Sequence, residues 1–397
     1  MKVAIVHPTP LVPGTIDLQA YALRFEELGH ESLFVTSKYL RSPGRIPVVE
    51  LSIEQMADPA VWRDLGIDIA VTFVWFQYPE ITEALAAAGC RVVSRADTDG
   101  QQSIRVFPGK FLRCMVGAAN AGRKLVEFKS YLHRYAVRYR GEDQWVIRTV
   151  AASRCVAMET SKAAKNLRRV LKYYGRSDLA RKLVVIPHCV DDAFLSPSVA
   201  VERSPTVISI GRWTAPQKNP QLLLGVIRRH LQYSDDTRFV VIGPGATALC
   251  GDLSRQTNRI ECHEQVPLVD MPRYLADARI LLSSSRWEGS PISANEALAC
   301  GCSVVGTPIP GFFEITGAGP FGTVSKGHGV RSLHQALKSE LHAWESGRRD
   351  STKIAEFWRP RLSQRRVMQQ ILAAANLCEE PSVVSPSIET LCQTQVN

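Results

Sequence analysis

The strongest constraint in this sequence is an alternation that runs through its first half, is interrupted, and then starts again. Short runs rich in Val and Ile, namely KVAIVH (2–7), SLFVTS (32–37), IPVVEL (46–51), DIAVTFVW (68–75), RVVSRA (91–96), CVAM (155–158) and LVVIP (183–187), are separated by stretches of helical period. Residues 16–28 show that period: Ile16, Leu18, Ala20, Leu23 and Leu28 make a rough apolar stripe, and Gly29 closes it. The pattern resumes at TVISIG (206–211) and continues through RFVVIG (238–243), RIECHE (259–264), ARILLSSS (278–285), SVVGTP (303–308) and GTVSK (322–326). Helices are expected between these runs, over 219–230, 270–276, 293–300 and 330–346. Strand–helix alternation of this kind makes parallel sheets, so the chain reads as α/β, with two consecutive doubly wound domains over 1–187 and 188–355. HCVDDAFLSPSVAVERSP (188–205), rich in Ser, Pro and acids, reads as the linker. FWRPRLSQRRVMQQILAA (357–374) reads as one closing helix, assigned to 356–378 and expected to pack back toward the first domain. Residues 379–397 read as a disordered tail.

Charge is unevenly spread. The formal net charge is +10, and residues 101–150 carry ten Lys/Arg against three Asp/Glu, so +7 of it lies where the alternation breaks. Phe107, Phe111, Phe128, Tyr131, Tyr135 and Tyr139 interleave with those cations. The segment suits an anionic membrane surface or an anionic acceptor, with a solvated helical face as the plain alternative. No nucleic-acid-binding module accompanies it, so nucleic acid is not an expected partner. The longest apolar stretch, around 67–76, contains Asp68 and Thr72 and is too short for a membrane span. MKVAIVHP meets Pro8 after four apolar residues, too few for a signal-peptide core. Ten scattered cysteines, of which only Cys300 and Cys302 are close, fit a reducing compartment. These features point to the cytoplasm, with a peripheral place at a membrane face as the extension.

Open α/β sheets bind ligands beyond the carboxyl ends of their strands, so chemistry is sought in the loops that follow them. Gly211 and Arg212 follow TVISI, and Lys218 stands just before Asn219-Pro220, which reads as a helix start with Asn as N-cap and Pro at the first helical position. A cation beside a helix N-terminus is disfavoured unless an anion lies between them. Arg212, Lys218 and the helix tip therefore read as a phosphate site, against the alternative of two solvated cations. Glu288 and Glu296 stand eight apart, with Gly289 leaving the backbone approachable. Ser293 is expected to open a helix, with Ser293-x-x-Glu296 as a capping box. Asp97-Thr98-Asp99-Gly100 follows RVVSRA and reads either as a turn or as acids acting on a hydroxyl; as a divalent-metal site, two carboxylates without a third ligand or a nearby His are weak. Pro244-Gly245 lacks the third glycine of a dinucleotide fingerprint, and no G-x-x-x-x-G-K-[ST] is present. Gly14-Thr15 precedes the first helix, where it can meet a phosphate or sugar or simply admit the helix. His7 and His188 end strands and read as structural.

Taken in order, IPHCVDDAF (186–194), ISIGRWTAPQKNPQLLL, FVVIGPG and VPLVDMPRYLADARILLSSSRWEGSPISANEALACGCSVVGTPIPGFFEI resemble the motifs of nucleotide-sugar-dependent glycosyltransferases of family four, also called glycosyltransferase group one. The resemblance covers roughly 183–345; the first half matches in layout, mainly at KVAIVHP and ALRFEELGHE. It implies the GT-B fold, two Rossmann-like domains facing a central cleft, and transfer of a sugar from a nucleoside-diphosphate sugar with retention of configuration. It implies neither a bound metal nor a cofactor. Arg212 and Lys218 would hold the donor diphosphate, Glu288 would face the donor sugar, and Glu296 would bind ribose hydroxyls. The backbone of Gly289, Ser290, Pro291 and Ile292 would cradle sugar and phosphate, Gly14 and Gly211 would line the donor, and Gln265 and Val266 lie where backbone groups read the base. The chain departs from the family where a His is usual: Ala96 and Asp97 stand there, with Asp99 just beyond, and the first loop keeps Gly14 alone of a glycine pair. Asp97 or Asp99 is then expected to orient the acceptor hydroxyl. The acceptor itself, whether lipid, glycan or small molecule, is left open. A nucleotide-sugar epimerase or a silent nucleotide-sugar-binding protein would carry the same donor motifs.

Overall fold

The computed structural model describes residues 1–10, 18–40, 45–73, 77–109, 141, 143–196, 203–233, 236–317 and 319–376. Gly14, most of the basic segment (110–140) and the tail expected over 379–397 lie outside the described residues. The chain divides into two compact units, one built from Met1–Pro187 with a returning segment that starts at Gln364, the other from His188–Ser363.

In the first unit, β1 (Lys2–His7), β2 (Glu31–Thr36), β3 (Val48–Glu50), β4 (Ile69–Thr72), β5 (Arg91–Ala96), β6 (Cys155–Met158) and β7 (Leu183–Val185) form one sheet in the order β3-β2-β1-β4-β5-β6-β7. Every pairing is parallel. The interiors of β1, β2, β4, β5 and β6 are buried, as expected when helices cover both faces of a sheet, while the edge strands β3 and β7 are partly exposed. Those helices are α1 (Leu18–Glu27), α2 (Ile53–Met56), α3 (Pro59–Leu65), α4 (Pro79–Ala87), α5 (Asp143–Ala152) and α6 (Ser161–Tyr173). Local chemistry sets their ends: Ser52 and Gln55 form a reciprocal capping box on α2, Thr160 accepts from the Ala163 N–H to cap α6, and Gly66 ends α3 at φ 64°.

In the second unit, β8 (Thr206–Ile210), β9 (Arg238–Ile242), β10 (Ile260–His263), β11 (Ile280–Ser283), β12 (Ser303–Gly306) and β13 (Gly322–Val324) form a parallel sheet in the order β10-β9-β8-β11-β12-β13. Its helices are α7 (Pro220–Leu231), α8 (Ala246–Gln256), α9 (Met271–Asp277), α10 (Ile292–Ala299), α11 (Pro310–Gly317), α12 (Val330–Glu345) and α13 (Ser351–Leu362). The strand order reverses between β8 and β11, and such a switch point is where open sheets part their loops to admit a ligand.

Three expectations change here. Residues 188–196 do not form a solvated linker: His188, Cys189, Val190 and Phe194 are buried, and the Val190 N–H donates to the Leu362 carbonyl at 3.0 Å. Arg203, at the far end of the same stretch, is buried too, and its Nη1 donates to the carbonyls of Leu275 (3.1 Å) and Ala278 (2.6 Å). Its Nη2 donates to the Cys300 carbonyl, so one cation serves the C-terminal ends of both α9 and α10, where the helix dipole favours it. The closing helix is two helices. α13 stays in the second unit, with Ile354, Trp358 and Leu362 in its core, and the chain breaks at Ser363 in extended geometry (φ −64°, ψ 138°). α14 (Gln364–Asn376) then packs in the first unit, on α1 and β5. Finally, α8 and α11 occupy stretches where the sequence pattern predicts no helix.

Candidate functional site

The loops after β8 and β11, neighbouring strands at the switch point, meet around one ion pair. After β8 the chain passes Gly211 and the exposed Arg212 and makes a short 3-10 turn over Pro216–Lys218. Lys218 is half-buried, and its Nζ donates to Glu288 Oε1 at 2.7 Å. Glu288 is buried and takes two more donors: Ser285 Oγ to Oε1 at 2.6 Å and Gln217 Nε2 to Oε2 at 2.9 Å. Gln217 Nε2 also reaches the Trp287 carbonyl at 3.0 Å, and Ser284 Oγ donates to the Lys218 carbonyl at 2.6 Å. A buried carboxylate requires this degree of satisfaction, since an unpaired one would cost several kcal/mol. Arg212 makes no ion pair with any described residue.

Asn219 and Pro220 start α7 as expected, but Asn219 does not cap it. Its backbone sits in the left-handed region (φ 50°), and its Oδ1 accepts from Arg286 Nη2 at 2.7 Å, which binds the β8 loop to the β11 loop. Glycine is required where the end of β9 passes Gly211. Gly243, at φ 117°, lies so close that a Cβ there would be 2.1 Å from the Gly211 carbonyl oxygen.

The capping box is also corrected. α10 begins at Ile292 with Pro291 as N-cap and carries no side-chain cap, so its third position is Ala294 and Glu296 falls two residues too far along. Gly289 and Ile292 reach the surface, Ser290 and Pro291 are buried, and Asn295 Nδ2 donates to Ser290 Oγ at 3.2 Å. Half-buried, Glu296 has its carboxyl pushed up to about 8, chiefly by burial and then by the charge of Asp191, with Lys218 pulling the other way. Asp191, Lys218 and Glu296 thus share one electrostatic neighbourhood, although Asp191 stands in the stretch that reads as a linker. Gln265 is exposed and Val266 half-buried, in the loop after β10. Just before them, Glu264 accepts from the N–H groups of Gly245 and Thr247, both at 2.8 Å, which holds its carboxyl below the usual range.

In the first unit, Asp97 is half-buried beyond β5 and Asp99 is buried. Asp99 Oδ1 accepts from the Gln101 N–H at 2.9 Å, the bond of an Asx turn, and its carbonyl accepts from Asn166 Nδ2 at 2.8 Å. Gly100, at φ 71°, completes the turn, where a Cβ would be 2.1 Å from the Ala163 carbonyl oxygen. His7 Nδ1 lies 2.9 Å from the Thr9 carbonyl, and His188 Nδ1 lies 2.9 Å from the Cys189 carbonyl, so both imidazoles hold local backbone. Among the described residues, no group of three or more His, Cys, Asp or Glu side chains is placed to hold a metal, and no helix is long and apolar enough to cross a membrane.

Sequence reasoning misses Gln217, Ser285 and Asp191. Gln217 adjoins Lys218 and Ser285 ends the hydroxyl run Ser283-Ser284-Ser285, but neither carries a signal of its own without its partner 71 or three residues away.

Residues 204–342 match the family of glycosyl transferases group 1. A human relative, a subunit of phosphatidylinositol N-acetylglucosaminyltransferase, is 27% identical over 137 residues, 33% of this chain and 28% of its own length. Solved structures match over nearly the whole chain. Anabaena HepE, in complex with UDP and glucose, superposes with a TM-score of 0.66 at 14% identity, covering 95% of this chain and 100% of that one. A structure from E. coli described as trehalose-6-phosphate bound with UDP-2-fluoro glucose gives 0.64 at 10% identity, covering 95% and 100%. Sucrose-phosphate synthase from Thermosynechococcus elongatus gives 0.62 at 12% identity, covering 94% and 97%. With both sheets accounted for and the β8–β11 loops inside the matched segment, the second unit is similar over 204–342 to the group 1 glycosyl transferases, and the chain as a whole has the GT-B fold.

Proposed function

We propose that this protein transfers a sugar from a nucleoside-diphosphate sugar to an acceptor hydroxyl, with retention of configuration and without a metal. The observation that carries this reading is the half-buried Lys218 ammonium at the β8–β11 switch point, paired with Glu288 in the loop that leads into α10, whose N-terminus no side chain caps. Breaking the bond to the sugar builds negative charge on the departing diphosphate. Lys218, Arg212 and the first-turn N–H groups of α10 are fixed donors for that charge, so they stabilise the transition state more than the ground state. Glu296 binds the ribose, the backbone at Gln265 and Val266 takes the base, and Gly211 and the Gly289–Ile292 backbone leave room for the diphosphate. Asp97 orients the acceptor hydroxyl, while Asp99 secures the turn that presents it. The molecules bound in the similar structures, UDP in one and UDP-2-fluoro glucose in another, make uridine nucleotides the first to try.

The test is a thermal-shift and calorimetric screen of nucleoside diphosphates and their sugars, followed by product analysis. At 100 times its dissociation constant a ligand stabilises by about 2.7 kcal/mol, and Lys218→Ala should abolish that gain. No stabilisation by any member of the panel would overturn the reading. Free epimerised sugar with no acceptor consumed would replace it with an epimerase.

A peripheral place on an anionic membrane is supported by α6. Its 13 residues hold five cations and no acid, and Lys162, Lys165, Arg168, Arg169 and Lys172 are all exposed. Arg169 stacks on Phe107 at 4.9 Å, and none of the other four pairs with an acid among the described residues. Each such cation near an anionic lipid surface is worth about 1 kcal/mol. Sedimentation with phosphatidylserine vesicles should show binding at low salt that is lost at high salt; no binding at low salt refutes it.

A further inference from the structure

Three donors converge on Glu288, and their arrangement says more than that the residue is buried. Oε1 takes both Lys218 Nζ (2.7 Å) and Ser285 Oγ (2.6 Å), while Oε2 takes Gln217 Nε2 (2.9 Å). Gln217 and Lys218 are consecutive residues of one 3-10 turn, so a single turn delivers a neutral and a charged donor to the same carboxylate. Only 8% of the Glu288 side chain is exposed, against 19% of Lys218, so the ammonium is the member of the pair that an incoming anion can reach. A second anion drawn to Lys218 would stand within a few ångströms of Glu288, and two like charges so close oppose each other.

Resting on the transferase reading, we propose that Glu288 competes internally with the diphosphate for Lys218. When the donor binds, Lys218 passes from Glu288 to the diphosphate. Gln217 and Ser285 are positioning residues that keep the carboxylate in place through the exchange, and the acceptor capacity released on Oε1 is then taken by a hydroxyl of the transferred sugar. The exchange couples the two ends of the donor. Diphosphate alone strips Glu288 of its strongest partner and gives it nothing back, whereas diphosphate carrying a sugar replaces that partner. The site therefore favours the intact donor over the spent nucleotide and helps the latter to leave.

The test measures binding and turnover separately. Glu288→Gln keeps the shape and removes the competing charge. It should bind the best nucleoside diphosphate of the screen about tenfold more tightly, while transfer falls by about a hundredfold and the preference for sugar-bearing donor over bare nucleotide disappears. A simple sugar contact would leave nucleotide affinity unchanged and a purely structural role would weaken it; either result overturns the exchange. Ser285→Ala should lower kcat at little cost in donor KM, and Ser285→Thr should restore it; equal losses in both variants would refute the positioning role. If Glu288→Gln does not fold, the Ser285 pair decides alone. A wild-type chain that binds nucleoside diphosphate normally while Glu288→Gln shows no tightening sinks the exchange and leaves the transferase reading standing. A wild-type chain that binds none sinks both.

Discussion

Glu296→Gln should abolish a pH-dependent penalty built into the second unit. Unfolded, this carboxyl titrates at an ordinary value of 4.5; in the folded chain, burial and the charge of Asp191 hold it at about 8. The folded state thus keeps a proton that the unfolded state has already lost. Below pH 4.5 the residue is neutral in both states and costs nothing extra. As pH rises from there towards about 8 the unfolded state is progressively favoured, and above that the full cost applies. At ~1.4 kcal/mol per pH unit the complete conversion would be about 5 kcal/mol. The side chain is only half-buried, so screening by water reduces this to roughly 2–3 kcal/mol. For a domain of this size ~1 kcal/mol moves Tm by roughly 2–4 °C, which puts the expected separation at roughly 5–10 °C. Scanning calorimetry of wild type and Glu296→Gln from about pH 5 to about pH 9 reads it directly. The two should nearly coincide at the acid end and separate as pH rises, with the variant the more stable. Parallel curves would show that burial and Asp191 do not hold the carboxyl as described, and a variant less stable throughout would make Glu296 a structural acceptor instead.

Two further outcomes follow from the same unit. Gly243→Ala meets both a left-handed backbone and a carbonyl oxygen 2.1 Å from the new Cβ, so it should cost more than about 3 kcal/mol in chemical denaturation and weaken nucleotide binding, because the Gly211 loop must move. Unchanged stability would refute the close approach. His230 is pushed down to about 4, first by burial and then by the charge of His334, so it folds neutral and stability should be lost as pH falls from 6.5 towards 4. His230→Gln, whatever its absolute stability, should lose less across that window in urea titrations, and an equal loss would assign the acid limb to other groups.

The sheets are legible in the sequence because their evidence is local. KVAIVH, RVVSRA and CVAM coincide with β1, β5 and β6, and most of the other runs overshoot their strands by a residue or more. α8, ATALCGDLSRQ, does carry a stripe at Ala246, Leu249, Cys250 and Leu253, but it spans two turns only and is interleaved with Gly251 and polar residues, so it is easily passed over. α11, PGFFEITG, opens with the two residues that most often mark a turn. At the site, Lys218, Glu288 and Glu296 stand out as candidates, but their relations do not. Lys218 and Glu288 are 70 residues apart, and only the adjacency of β8 and β11 joins them. The capping box fails for a reason the sequence contains. Pro291 cannot donate a backbone N–H and here takes the N-cap position, which moves the helix start back and frees Glu296 from the cap. Asn219 fails as a cap for a reason it does not contain, since its partner is Arg286 on another loop.

Three helices of the second unit begin where strands β8, β9 and β11 end, and any of them satisfies the general rule that a helix N-terminus attracts an anion. Their local chemistry separates them. α8 follows the glycine turn Gly243-Pro244-Gly245, the place a dinucleotide fingerprint would mark. That anion position is filled from within: Glu264 takes the Gly245 and Thr247 N–H groups, so a phosphate would have to displace a carboxylate already held by two hydrogen bonds. α7 starts with Pro220, which has no N–H to offer at its first position. α10 has neither an acid in its first turn nor a side-chain cap, and it follows the loop in which Glu288 holds Lys218. The glycine pattern therefore points to the one helix whose anion has already been supplied. The proposed diphosphate site falls where the sequence shows no glycine fingerprint but leaves backbone donors uncapped after a loop that holds a cation.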